Sequence, residues 1–286
     1  MAIPLLLMNL FTEKSTIIIT CHKRITPYLE DEVKQLGFSI DSSFITGISI
    51  TGTITDCIKL NLNLRCASQV LYSLKSFNAD NADDIYNNLV SYPWESILPD
   101  PGYFSITSNV NNPTINNSMF ANLRVKDAIV DRIRDKRGSR PSTGSELTGT
   151  VIHLFWKNED ATIFVDTTGD SLARHGYRKI PGLAPMLEGL AAATIYATRW
   201  DKVSPFINPM CGSGTLAIEA AMIAANRVPG LFRTNYAFMH VQGYDEMVYL
   251  KEDALLEQQI TDVPELKIIA TDISAKAIEN AKKNAI

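Results

Sequence analysis

Residues 206–221, FINPMCGSGTLAIEAA, constrain the chain more than any other stretch. A short apolar run leads into a glycine-rich turn, and an apolar helix follows. Downstream, LKIIATDIS (266–274) reads as a strand ending in an acid, and AKAIENAKKNA (275–285) as a helix. Strand, glycine turn, helix, strand with a terminal Asp and helix form the opening of a doubly wound α/β domain. Gly212 and Gly214 let the backbone turn tightly and come close to a ligand. The helix opening at Thr215 offers free N–H groups and a positive dipole end.

Three readings of this turn compete. Gly212-x-Gly214-x-x-Ala217 formally matches the dinucleotide fingerprint, but that fingerprint wants an acid about 20 residues further on. The acid that ends the next clear strand is Asp272, far beyond that distance, and GYDEMVYLKED around Asp245 does not read as a buried strand. A bare left-handed turn would not require Asn-Pro-Met-Cys-Gly-Ser-Gly-Thr. The reading that fits is an S-adenosylmethionine site: the loop passes under the methionine end, and Asp272 accepts hydrogen bonds from both ribose hydroxyls. A carboxylate suits the second task because it has two acceptor oxygens and no donor.

Upstream, the chain reads as α+β. STIIITC is a strand, and residues 26–36 carry Leu29, Val33 and Leu36 at helical spacing with Gly37 as a stop. FITGISITGTI gives two short strands, CIKLNLNLRCASQVLYSL (57–74) reads as helical, and FSITSNV as a strand. Ala121, Val125, Ala128, Ile129 and Ile133 mark an amphipathic helix. GSRPSTGSELTG is turn-rich, VIHLFWK and ATIFVDTTG read as a hairpin, and PMLEGLAAATIYATRW reads as a helix. The 286 residues suggest two or three domains. With 45% hydrophobic and 20% charged residues, collagen, coiled-coil and disulfide scaffolds are excluded.

The net charge of −4 restricts nucleic-acid binding to a local patch. Cys21, Cys57, Cys66 and Cys211 lack metal-finger spacing and read as reduced thiols of a cytoplasmic protein. The four His residues likewise suggest no metal site. The apolar start MAIPLLLMNLF lacks a basic region and a cleavage site and is too short for a membrane span. Trp94, Trp156 and Trp200 are expected in the core. No feature bears on the oligomeric state.

Four segments together resemble the bacterial THUMP-bearing 23S rRNA guanine-N2 methyltransferases, often labelled N6-adenine-specific DNA methylases. They are NPMCGSGTLAIEAAMIAANRVPGLFR, TGDSLARHGYRKIPGLAPMLEGLAAATI, NNSMFANLRVKDAIVDRIRDKRGSRPS and CHKRITPYLEDEVKQLG. The resemblance implies a ferredoxin-like module (1–60), a THUMP RNA-binding domain (61–170), a linker (171–182) and the start of a Rossmann-like methyltransferase domain (183–286). It places the cofactor's methionine end at Asn208, Pro209, Met210, Cys211, Gly212, Ser213, Gly214 and Thr215, and the ribose at Asp272 and Ile273. The family has Asp where this chain has Asn208, which removes a charged partner for the cofactor's ammonium group.

The family's Asn/Asp-Pro-Pro-Tyr motif does not occur in the 286 residues. No catalytic residue is therefore assigned; the motif is expected beyond Ile286, and the sequence reads as a shortened chain that binds cofactor without methylating. Asp100-Pro101-Gly102-Tyr103 reads as a plain turn rather than a permuted form of that motif. Arg124 to Arg140 holds seven basic residues against Asp127, Asp131 and Asp135. With the THUMP resemblance, Arg124, Lys126, Arg132, Lys136, Arg137 and Arg140 are expected to contact rRNA phosphates. Arg174, Arg178 and Lys179 form a second cluster that either contacts RNA or pins the domains together. The alternatives are an adenine-N6 methyltransferase acting on DNA or RNA, and a non-catalytic THUMP RNA-binding protein.

Overall fold

The computed structural model describes residues 9–182 and 184–285. The apolar opening Met1 to Met8 lies outside the described residues, as do Leu183 and Ile286. The amino-terminal part contributes β1 (Ser15–Thr20), α1 (Thr26–Gln35), β2 (Ser42–Phe44), β3 (Gly47–Gly52), α2 (Ile54–Asn63) and β4 (Gln69–Asn78). The central part adds α3 (Ala82–Leu89), β5 (Tyr103–Asn111), α4 (Ser118–Arg137), β6 (Ser142–Gly144), β7 (Thr150–Lys157) and β8 (Asp160–Asp166).

These strands make one eight-stranded sheet in the order β2-β3-β1-β4-β8-β7-β5-β6. β5 runs parallel to β6 and β7, and the other pairs are antiparallel. Ile17 and Ile19, Ile48 and Ile50, and Val70 and Tyr72 alternate toward one face and are buried. Leu29 and Val33 of α1 and Cys57, Ile58 and Leu60 of α2 belong to the same core. α2 starts on a capping box: the Asp56 carboxylate accepts the Thr53 N–H at 2.8 Å, and the Thr53 hydroxyl accepts the Asp56 N–H.

Residues 57–74 depart from the helix expected for them. The helix ends at Asn63, and β4 begins at Gln69. A short apolar run fits either period, and here pairing to β1 on one side and β8 on the other decides it. The boundary expected after residue 60 falls within α2, and β4 carries the sheet from the first module into the second without a seam. Trp94 and Trp156 are fully buried, while Trp200 is half-buried. Among the described residues, no helix is long and apolar enough to cross a membrane.

The third part contributes α5 (Glu188–Ala197), β9 (Phe206–Asn208), α6 (Thr215–Ala224), α7 (Glu246–Gln258), β10 (Ile268–Ala270) and α8 (Ala275–Asn284). β10 lies parallel to β9, with Ala270 opposite Asn208, so both strands end at the same edge. Phe206 and Ile268 pack on Ala192, Ile195, Ala220 and Ile223 of α5 and α6. The segment around Asp245 forms the start of α7.

The chain leaves the large sheet through a buried polar knot. The Asp166 carboxylate accepts the Thr168 and Gly169 N–H groups and the Gln69 side-chain amide. Asn61 bonds both threonine hydroxyls that follow, Thr167 at 2.9 Å and Thr168 at 2.7 Å. Burial pushes the Asp166 carboxyl up to about 6 against the pull of these donors. The folded state therefore holds a proton that the unfolded state has released between about pH 4 and pH 6, so this group's contribution to stability falls as pH rises through that window. In thermal unfolding at pH 5 and pH 7, Asp166→Asn is expected to gain stability relative to the wild type as pH rises, by about 1.5 kcal/mol. A parallel pH dependence for the two proteins would contradict this.

Candidate functional site

The loop between β9 and α6 is built from backbone hydrogen bonds to the strand beside it. Thr271 N–H donates to Asn208 O at 3.0 Å, and Cys211 N–H to Thr271 O at 2.9 Å. Gly212 N–H then donates to Asp272 Oδ2 at 2.9 Å, while Ser274 N–H donates to Oδ1 at 2.9 Å. Gly212 adopts φ +54° and Gly214 φ +88°, both in the left-handed region. At Gly214 a Cβ would also come within 3.0 Å of Ala281 Cβ on α8, so a side chain there would push the two helices apart.

This arrangement brings the expected cofactor residues together. Asp272 is half-exposed, and the Ser274 and Gly212 N–H groups hold its carboxyl below the usual carboxylate range. Its charge is thereby kept at neutral pH, with oxygen lone pairs still free to accept hydroxyl donors. Asn208 is buried, and its Oδ1 has no hydrogen-bond partner. An orphaned acceptor in a buried loop is costly, and a ligand donor such as an ammonium group would satisfy it. Pro209, Met210 and Ile273 are exposed around the loop, whereas Cys211, Ser213, Gly214 and Thr215 are buried in its base. Burial pushes the Cys211 thiol up, consistent with a small packed side chain rather than a nucleophile. The donor set therefore fits S-adenosylmethionine.

A buried polar network fixes this loop relative to the large sheet. Between α2 and β4, Arg65 and Cys66 donate their N–H groups to the Glu32 carboxylate of α1 at 3.1 and 2.9 Å. Tyr196 of α5 donates its hydroxyl to the same carboxylate. Burial pushes the Glu32 carboxyl up, and these donors partly offset it. The Arg65 guanidinium reaches Arg227 O at 2.8 Å, beyond the end of α6. Its carbonyl accepts from His175 Nε2 at 2.9 Å, and His175 Nδ1 lies 2.7 Å from Glu219 Oε1 on α6. Since a carbonyl only accepts, Nε2 is the donor there; the short contact to Glu219 also contains a proton, so the pair carries no net charge.

Two more residues tie the linker to the loop. Arg178 donates to Thr215 Oγ1 at 2.9 Å and lies 3.5 Å from Glu188, which opens α5. Asn284 of α8 accepts the Lys179 and Ile180 N–H groups and donates to Ile180 O and Ser213 O. Arg65, Glu32, His175, Glu219, Glu188 and Asn284 were not legible as site-building residues. Each is a single polar residue, and all but Glu188, which lies close in sequence to Arg178, have partners far along the chain.

The basic residues expected on RNA divide into two groups. Arg132 makes a bidentate pair with Glu95 at 3.0 and 2.6 Å, and Arg137 donates to the carbonyls of Pro99, Glu95 and Leu98. Arg124 pairs with Asp83 and stacks on Tyr86. These three and Arg178 already have partners within the fold, which leaves fewer of their guanidinium donors for phosphate, although Arg124 Nε is itself without a partner. Lys136, Arg140, Arg174 and Lys179 are exposed, and Lys126 is half-buried beside a groove. Asp100-Pro101-Gly102-Tyr103 leads into β5, a strand of the large sheet and not of the β9–β10 pair that carries the glycine loop.

Residues 175–286 match the family described as the RMKL-like methyltransferase domain, residues 79–166 the THUMP domain, and residues 16–71 the RlmL ferredoxin-like domain. The chain is 36% identical over 275 residues to the ribosomal RNA large subunit methyltransferase K/L of Syntrophotalea carbinolica, covering 93% of this chain and 38% of that protein. It thus spans under two fifths of the length of the curated relatives it matches. A methyltransferase, SMU.472, solved in complex with SAH superposes with a TM-score of 0.85 at 28% identity, over 96% of this chain and 72% of that one. A Listeria monocytogenes protein, described as a predicted N6-adenine-specific DNA methylase, gives a TM-score of 0.85 at 29% identity, over 96% and 71%.

The interlock of His175 and Glu219 gives a measurable outcome. Either residue changed alone to Ala leaves a buried polar partner unmatched, and each variant is expected to lose about 3 kcal/mol in urea unfolding. The double variant is expected to lose clearly less than the sum. Additive losses would mean that the two side chains do not form one unit.

Proposed function

The chain belongs to the family that joins RlmL ferredoxin-like, THUMP and RMKL-like methyltransferase domains, and from that premise we propose that it serves S-adenosylmethionine-dependent methylation of large-subunit ribosomal RNA. The observation that carries the reading is the closure of the glycine loop on Asp272: Gly212 N–H and the strand-end carboxylate, far apart in sequence, meet at 2.9 Å. The unpartnered Asn208 Oδ1 beside them supports it. The relatives' name and the THUMP domain favour RNA over DNA.

When bound, S-adenosylmethionine supplies a methyl group already activated on a sulfonium. The residues of this chain hold it. Asn208 accepts from its amino group, Asp272 accepts from its ribose hydroxyls, and the glycines allow close backbone approach. Lys126, Lys136, Arg140, Arg174 and Lys179 offer charge to the RNA backbone. The finer assignment is the exocyclic N2 of a guanine in 23S rRNA, in an accessible or flipped-out position. It rests on the motif resemblance of residues 208–233. With little acid–base work needed, positioning and exclusion of water carry most of the rate.

Titration calorimetry with S-adenosylmethionine tests the site. Asp272→Ala is expected to weaken binding about tenfold or more, and Asn208→Asp to tighten it severalfold through a charge-assisted bond. Unchanged affinity in both would remove the assigned site. The base assignment is tested with the reading frame that contains this sequence, labelled cofactor and unmodified 23S rRNA and DNA. N2-methylguanosine in the rRNA digest is the expected product; N6-methyladenine would overturn the guanine assignment and leave the cofactor site in place.

A further inference from the structure

The central module carries a groove that the cofactor site does not use. It lies between the first turns of α4 and the strands β5 and β6, with a volume of about 420 Å³. Phe104 and Ile106 of β5 form its floor, Met119 and Leu123 of α4 its wall, and Lys126 stands one turn further along. Thr143 and Gly144 line the opposite side on β6, an edge strand paired only to β5.

Three observations show what the groove is made to take. Met119, Phe120 and Leu123 are 68%, 52% and 42% exposed on consecutive turns of one helix, an apolar surface left open to water. Asn122, also in the lining, has a buried Oδ1 with no hydrogen-bond partner, so the groove asks for a donor. Lys126 makes no ion pair among the described residues, on a helix whose six Lys and Arg face three Asp. An apolar slot, one unmatched acceptor and a free cation together match a nucleotide: a flat base, an exocyclic amino group and a phosphate. An apolar peptide would satisfy the slot but not the charge.

We propose that this groove receives one unpaired base of an RNA strand, with Asn122 accepting from its amino group and Lys126 on the adjoining phosphate. This rests on the RNA-binding reading above and adds the site at which single-stranded RNA is gripped. Base-paired RNA cannot enter, because its bases are stacked and its amino groups are engaged, so the groove selects a loop, bulge or strand end.

The test measures fluorescence anisotropy of the full chain with a short labelled single-stranded RNA and with a blunt duplex of the same sequence. The variants are Met119→Ser with Leu123→Ser, whose side chains are already part-exposed, and separately Lys126→Ala. The wild type is expected to prefer the single strand. The double serine variant should lose about tenfold or more of that affinity while its duplex binding stays unchanged, and Lys126→Ala should weaken binding and flatten its salt dependence. Wild-type binding with no effect of the serine variant would overturn the groove and leave the RNA reading standing. Absence of any RNA binding by the wild type would overturn both. A wild-type dimer in sedimentation that the serine variant dissociates would identify the groove as a contact between two copies and overturn the proposal.

Discussion

Arg65 is the residue on which the arrangement of the parts depends. Its N–H and that of Cys66 meet Glu32, its carbonyl meets His175, and its guanidinium caps the carbonyl of Arg227. One short segment between α2 and β4 thus touches α1, the linker and the end of α6. Desolvating this many polar groups costs several kcal/mol unless each is matched, and a half-matched network would be worse than an apolar interface. The matching is incomplete, with Arg65 Nη1 and Glu219 Oε2 buried without a partner, so the network fixes the orientation of the third part on the sheet more than it adds to stability.

That orientation has a functional consequence. From His175 the network runs through Glu219 into α6, the helix that starts at the glycine loop. Arg178 and Asn284 reach the same loop from the linker and from α8. The loop proposed for the cofactor is therefore held at a set distance from the surface proposed for RNA. Methyl transfer depends on placing a nucleophile against a methyl group to within a fraction of an ångström, and a floating junction would forfeit much of the rate.

Much of the fold was legible because its determinants are local. The glycine loop needs residues that tolerate left-handed φ, and only such residues can occupy Gly212 and Gly214. α4 showed its apolar stripe, and Ala121, Val125, Ala128, Ile129 and Ile133 are all buried. Residues 57–74 were read wrongly in their second half because an apolar run has no period of its own until neighbouring strands impose one. The basic helix was legible as a charge pattern, but Glu95 and three carbonyls, which absorb Arg132 and Arg137, lie some forty residues away. For the same reason the Arg65 hub was invisible. A lone arginine between Leu64 and Cys66 carries no signal until the chain closes around it.

The cofactor assignment rests on the glycine loop and Asp272, and the most direct measurement is a crystal structure of the chain with S-adenosylhomocysteine. The expected result is ribose hydroxyls on the Asp272 carboxylate and the amino group at Asn208 Oδ1, with the glycine loop otherwise unmoved. Ligand bound elsewhere, or no ligand at the glycine loop at saturating concentration, would contradict the assignment.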